Sequence, residues 1–178
     1  FPYLFSFPGA VKNTPEISAA LAGIGMVSTV PEVDGVVRRM PLFVRVGEKV
    51  IYPSLPMEIL RVLVNSKSAQ IKTEAAGISK VRVRGFPIVE TDPHARIWID
   101  FSTEIPRNVD VKGKVVIVGL TAEGLTQTVP TPFGAVDIHE FNAKTLHTIM
   151  SGTSIKRWDI ANQLEILDFF LFGLILIV

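Results

Sequence analysis

Three histidines, two adjacent arginines and a Thr-rich loop are the residues through which this chain could do chemistry. His139 and His147 lie eight residues apart in "DIHEFNAKTLHTIM", which reads as a helix opening at Asp137 and ending near Gly152. Eight steps of an α-helix leave two side chains about 80° out of line and two turns apart, so these histidines cannot share a metal ion unaided. Asp137 or Glu140 could join His139 only with ligands from elsewhere, and His94 is the remaining histidine. There is no cysteine, which removes thiolate metal sites, cysteine nucleophiles and disulfides together. Neither a metal nor a cofactor is expected.

The run "VIVGLTAEGLTQTVPTPFGAVDIHEFNAKTL", Val116 to Leu146, reads as a strand, a Gly/Pro-punctuated polar loop and a helix. Loops at the carboxyl ends of strands are where α/β proteins usually bind ligands. A phosphate-cradling loop would need a Lys after its glycines, and Gly124-Leu125-Thr126 lacks one. A serine hydrolase would need a Gly-x-Ser-x-Gly elbow, which does not occur. Thr131-Pro132 and Phe133-Gly134 read first as turn chemistry. His139 reads first as a helix-start histidine that hydrogen-bonds the preceding loop. No recognisable catalytic set emerges.

Arg38 and Arg39 stand in "VPEVDGVVRRMPLFVRV", where Asp34-Gly35 between β-branched runs predicts a tight reversal joining 23–30 to 36–46 as a hairpin. Neighbours on a strand point to opposite faces, so one arginine must lean toward whatever covers the sheet. An ion pair with a carboxylate such as Glu32 is the preferred reading. The alternative is a guanidinium fork that holds an anionic ligand or a neighbouring loop. In that role Arg38 or Arg39 would clamp the Thr131 to Gly134 loop, donating to backbone carbonyls or Glu140.

Thr14-Pro15-Glu16 predicts a short helix running to about Leu21. Ser54 opens a second helix whose apolar face is Leu55, Ile59, Val62 and Leu63. Val81 and Val83 alternate with Lys80, Arg82 and Arg84, the pattern of a strand with one solvated basic face. "KGKVVIVGL", 112–120, suits a strand buried on both faces. Interleaved helices and strands make the class α/β, with a mixed sheet flanked by helices. Eighteen basic residues against seventeen acidic give a net charge of +1, without the basic excess of a nucleic-acid-binding domain. Hydrophobic content of 48% and a mean hydropathy of +0.39 are high for a soluble domain. The closing run "FFLFGLILIV", 169–178, is apolar on every face and is expected to begin a transmembrane helix, with 155–168, including Lys156 and Arg157, as its approach.

Four blocks in order, "PEVDGVVRRMPL", "YPSLPMEILR", "GKVVIVGLTAEGL" and "TPFGAVDIHEFNAKTL", followed by the apolar run, resemble the CHASE2 domain from about Gly23 onward. That domain is the extracytoplasmic sensory module preceding transmembrane helices in bacterial adenylate cyclases, histidine kinases and serine/threonine kinases. The resemblance places the family pattern on Asp34, Gly35, Arg38, Arg39, Pro41, Leu42, Pro53, Ser54, Leu55, Gly119, Thr121, Gly124, Thr131, Pro132 and His139. Of these, Asp34, Arg38, Arg39, Thr121, Thr131 and His139 are the ligand-binding or signature candidates. Gln127 and Glu140 depart from the pattern, standing where an acidic and a small residue are usual.

The resemblance implies a single sensor domain over 1–154, lacking an N-terminal portion ahead of Phe1. It implies no catalysis by this stretch, and relay of an unknown small-molecule or environmental stimulus to a cytoplasmic enzyme, foremost an adenylate cyclase. It also implies a membrane partner through the C-terminal helix, a cell-membrane location with 1–168 extracytoplasmic, a possible homodimer and no nucleic acid. The rival readings are a membrane-tethered periplasmic hydrolase using the Thr121 to His139 loop, a kinase output, and a structural dimerisation module.

Overall fold

Twelve prolines and thirteen glycines cut the apolar sequence into short runs, and the strands are correspondingly short. The computed structural model describes residues 2–104, 110–122, 124–155 and 161–177. In chain order the elements are β1 (Ser6–Phe7), α1 (Pro15–Ala20), β2 (Arg39–Pro41), β3 (Phe43–Val46), β4 (Val50–Pro53), α2 (Leu55–Leu63), β5 (Ala69–Glu74), β6 (Gly77–Val83), β7 (Val89–Glu90), β8 (Arg96–Trp98), β9 (Thr128–Thr131), β10 (Gly134–Asp137), α3 (Ile138–Ser151) and α4 (Ala161–Ile177). The strands form small sheets ordered β1-β3-β4, β5-β6-β7, β2-β8 and β9-β10. Among the described residues β1 and β3 run parallel and the other strand pairs are antiparallel. The class is α/β, with mixed sheets flanked by helices.

Patterning explains most of what is buried. In β6, Val81 and Val83 are buried and Arg82 is exposed, as the alternation requires. The larger apolar cluster joins these valines to Leu42, Phe43, Met57, Leu60, Ile97, Leu146 and Ile149; a second cluster gathers Val37, Met40, Ile99, Val129 and Phe141. α3 lies against both. It begins after Asp137 and stops at Gly152, whose φ of 68° is the left-handed conformation that glycine adopts without strain. Thr145 and Thr148 sit in the same interior because each hydroxyl donates to the carbonyl four residues back, Phe141 and Lys144.

α2 forms where expected but turns another face inward. Pro56, Met57, Glu58 and Leu60 are buried, whereas Val62 and Leu63 are exposed. The segment is apolar around more than half its circumference, so spacing alone could not choose the side. Glu58 tolerates burial because Arg61, one turn on, donates Nε and Nη2 to its two oxygens at 2.8 and 2.7 Å.

The reversal at Asp34-Gly35 is present, closed by Glu32 N–H to the Val36 carbonyl and Gly35 N–H to the Glu32 carbonyl, both 2.9 Å, with Gly35 at φ 80°. It does not join a hairpin of 23–30 with 36–46. Gly25 lies so close to Leu55 that a Cβ there would clash with its backbone. Met26 donates its N–H to the Pro53 carbonyl, and its own carbonyl accepts the Leu55 N–H, which commits that segment to the start of α2. β2 pairs with β8 instead.

Two further expectations are corrected. The run 112–120 lies outside any sheet: it opens in a turn closed by Lys114 N–H to the Val111 carbonyl at 3.0 Å, Val118 beyond it is 89% exposed, and no strand among the described residues pairs with it. The membrane partner and the cell-membrane location with 1–168 extracytoplasmic are overturned as well. Among the described residues no helix is long and apolar enough to cross a membrane. α4 has 17 residues, about 26 Å at 1.5 Å per residue against a hydrocarbon core of about 30 Å. Its first half carries Gln163, Glu165 and Asp168. Lys156 and Arg157 lie outside the described residues.

Candidate functional site

The two arginines separate as their alternation demands. Arg38 stays at the surface and grips Asp34 with both terminal nitrogens, Nη1 to Oδ1 at 3.0 Å and Nη2 to Oδ2 at 2.7 Å. That fork, helped by the Val36 N–H on Oδ1, holds the Asp34 carboxyl down at about 2. Arg39 turns inward over the Trp98 ring, 4.9 Å from its centroid, in the β2-β8 pair that sets the two residues opposite each other. Its Nε and Nη2 donate to the two oxygens of Glu32, the bidentate form of the expected ion pair, and its Nη1 donates to Asp92 Oδ2 at 2.8 Å. The hydrogen bonds from Arg39 pull the Glu32 carboxyl below its usual value.

Asp92 is the partner that sequence reasoning missed, and Arg96 comes with it. A tight turn places both: Ala95 N–H to the Asp92 carbonyl and Asp92 N–H to the Arg96 carbonyl, each 3.0 Å, with Ala95 wholly buried at φ 61°. Asp92 Oδ1 accepts the backbone N–H groups of His94 and Arg96, and Oδ2 accepts Arg96 Nε at 2.7 Å as well as Arg39. Glu32, Arg39, Asp92 and Arg96 therefore form a charge-balanced quartet whose side chains are 12 to 20% exposed. The chain's beginning is tied to the same turn, through the Arg96 guanidinium over Phe5 and His94 Nδ1 against the Tyr3 carbonyl at 2.7 Å. The Asp-x-x-x-Arg spacing of Asp92 and Arg96 around Pro93 was the one legible signal of this turn. Its distance from Arg39 in sequence hid the connection.

All three nitrogens of Arg39 and both terminal nitrogens of Arg38 are thus taken by the chain's own carboxylates. An anionic ligand would have to displace one of them. The expected clamp on the Thr131 to Gly134 loop is made by backbone instead, Val37 N–H to the Pro130 carbonyl at 2.7 Å. Thr131 is nearly buried, and its Oγ1 donates to the Gly134 carbonyl at 2.6 Å and accepts the Phe133 N–H, so it closes the β9-β10 turn.

The remaining candidates gather at the start of α3. Gly119, in the 112–120 run, lies flat against the His139 ring with no space for a Cβ between them. His139 Nδ1 is buried and has no hydrogen-bond partner among the described residues, so the expected bond to the preceding loop is replaced by a packing contact. Asn142, one turn further, is fully buried and leaves its Oδ1 in the same condition. The loop is fastened twice more, by Thr126 Oγ1 to Asp137 Oδ1 at 3.0 Å and Ile138 N–H to the Gln127 carbonyl at 2.9 Å. Thr121 sits exposed between these fastenings. Asp34, Arg38 and Arg39 do not join this group; the halves are linked by the Val37 to Pro130 bond and by the packing of Val37 and Met40 with Val129 and Phe141.

No group of three or more His, Asp or Glu able to hold a metal ion occurs among the described residues, and the chain has no cysteine. No curated protein and no solved structure matches the chain. The CHASE2 domain matches residues 6–178, nearly the whole length. The chain therefore belongs to the CHASE2 domain family, a family of extracytoplasmic sensor domains rather than catalytic ones.

Proposed function

We propose that this domain is the sensory module of a signalling protein whose output is an adenylate cyclase, with residues 1–154 as the sensing body and the chain from 155 onward as the relay. The observation that carries the reading is the CHASE2 match over residues 6–178. The distribution of the family's residues supports it. Asp34, Arg38 and Arg39 are used up in holding the fold, whereas Thr121, Thr131 and His139 border a loop fastened to the start of α3 at a few points. A stimulus acts there by binding more tightly to one arrangement of that loop than to another, since equal binding would shift nothing.

The test is the rate of cAMP formation by the intact protein, measured for the natural sequence and for Thr121→Ala and His139→Ala. Cyclase activity that changes severalfold in either variant, with an unchanged denaturant midpoint in Thr121→Ala, is the expected result. An intact protein that makes no cAMP and phosphorylates itself instead overturns the cyclase output. Activity indifferent to both substitutions removes the loop from the signalling path.

A further inference from the structure

A groove of about 400 Å³ lies beside the turn that joins β5 to β6. Two stretches distant in sequence wall it, and backbone fixes them together. Gly77, at φ 137°, packs so closely on Pro93 that a Cβ there would clash, and Ile78 N–H donates to the Pro93 carbonyl at 3.0 Å. Thr91 N–H donates to the Ser79 carbonyl, also at 3.0 Å. The pairing of β5 with β6 slips by one residue here: Lys72 faces Lys80, Thr73 faces Ile78, and Ser79 is the extra residue of a bulge. A bulge re-aims side chains, and this one brings the Ser79 hydroxyl to Glu74 Oε1 at 3.1 Å.

The charged groups on the walls are only partly used. Lys72 Nζ, 3.0 Å away, and the Ser79 hydroxyl both approach Oε1 of Glu74, while Oε2 accepts no hydrogen bond among the described residues. Lys72 and Ser79 hold the Glu74 carboxyl below its ordinary value, so it is charged at neutral pH. Lys80 Nζ stands 3.6 Å from Glu90 Oε1, beyond hydrogen-bond distance, and donates to no other group among the described residues. Glu74 lies two residues from Lys72, the residue directly across from Lys80, so the acceptor and the donor are offset by about 7 Å along the strands.

We propose that this groove binds a small zwitterion of the free amino acid class, with its ammonium on Glu74 Oε2 and its carboxylate on Lys80 Nζ. A lone anion would meet the carboxylates of Glu74 and Glu90, and a lone cation would meet Lys80; a molecule that carries both charges complements both walls. The volume is at the small end of ligand sites, which suits a molecule of this size. Occupation would also bear on the quartet, because Pro93 follows Asp92 directly and the Ala75 carbonyl, next to the groove, accepts the Tyr3 hydroxyl at 3.1 Å. The inference goes beyond the sensory reading, since binding here can be measured whatever enzyme lies downstream and whether or not the Thr121 loop takes part.

Amide chemical shifts of the full chain test it, titrated with glycine, β-alanine and 4-aminobutyrate and, for each, with the amine and the carboxylate of the same chain length. At least one zwitterion is expected to move amides 74–80 and 90–91 with a dissociation constant below about 10 mM, and its two halves to bind at least about tenfold more weakly. Glu74→Gln should weaken the zwitterion and the amine about tenfold and leave the carboxylate unchanged; Lys80→Met should do the converse. Both side chains are about half exposed, so the variants keep the fold. Three results overturn the proposal: no zwitterion binding below about 10 mM, a half that binds as tightly as the whole, and affinities indifferent to both substitutions.

Discussion

Replacing Asp92 by Asn probes the quartet at its centre. Asn keeps an oxygen for the two backbone N–H groups of the turn but loses the charge that Arg39 Nη1 and Arg96 Nε share at 2.8 and 2.7 Å, and it turns an amide donor toward one of them. Breaking a fully buried pair costs about 3–5 kcal/mol, and an exposed pair is worth about 0–1 kcal/mol. At 12 and 16% side-chain exposure, Arg96 and Asp92 stand near the buried limit, while Glu32 remains as a partner for both arginines. The expected loss is about 2–3 kcal/mol, read as a lower urea midpoint with an unchanged denaturant slope. In a double-mutant cycle with Arg39→Met the coupling should exceed about 1 kcal/mol, and it should survive about 1 M salt because partly buried pairs are weakly screened. Arg38→Met, which removes only an exposed pair, should leave the midpoint nearly unchanged. A midpoint for Asp92→Asn within about 0.5 kcal/mol of the natural sequence, or strict additivity with Arg39→Met, would refute the quartet as an energetic unit.

Acid should act through Glu32. Its carboxyl is held below the ordinary 4.5 chiefly by the hydrogen bonds from Arg39, so the folded state binds fewer protons than the unfolded one. That contribution is whole above 4.5 and is lost as pH falls through the lower folded value; unfolding midpoints should drop on acidification, and Arg39→Met should flatten that limb. Gly119→Ala drives a methyl into the His139 ring and should destabilise by about 1–3 kcal/mol, whereas adding His139→Ala to it should recover part of the loss in thermal melts. Thr131→Val deletes the hydroxyl that closes the β9-β10 turn and should cost about 1–2 kcal/mol by the same measurement; an unchanged melt would refute that role.

Local signals were legible where a residue and its cause lie within a few positions. Gly152 ends α3 because a left-handed cap acts within one turn, and Val81 and Val83 go inward because alternation is a two-residue rule. Arg39 and Glu32 meet across a turn that Asp34-Gly35 announces. The same arginine's bond to Asp92 spans 53 residues, and nothing in either neighbourhood reports it. Composition misled at 112–120, because apolar residues state what a segment would gain from burial but only neighbouring elements decide whether it is buried.

The Asp92 turn has a practical side. Within five positions it fixes a left-handed, wholly buried Ala95, both ends of two backbone bonds, and the anchorage of Phe5 and Tyr3. Its length cannot change by one residue without unseating all of them, so a reporter or affinity tag spliced there should abolish expression of folded material. The exposed tip at Glu48 and Lys49 is where such cargo can be carried.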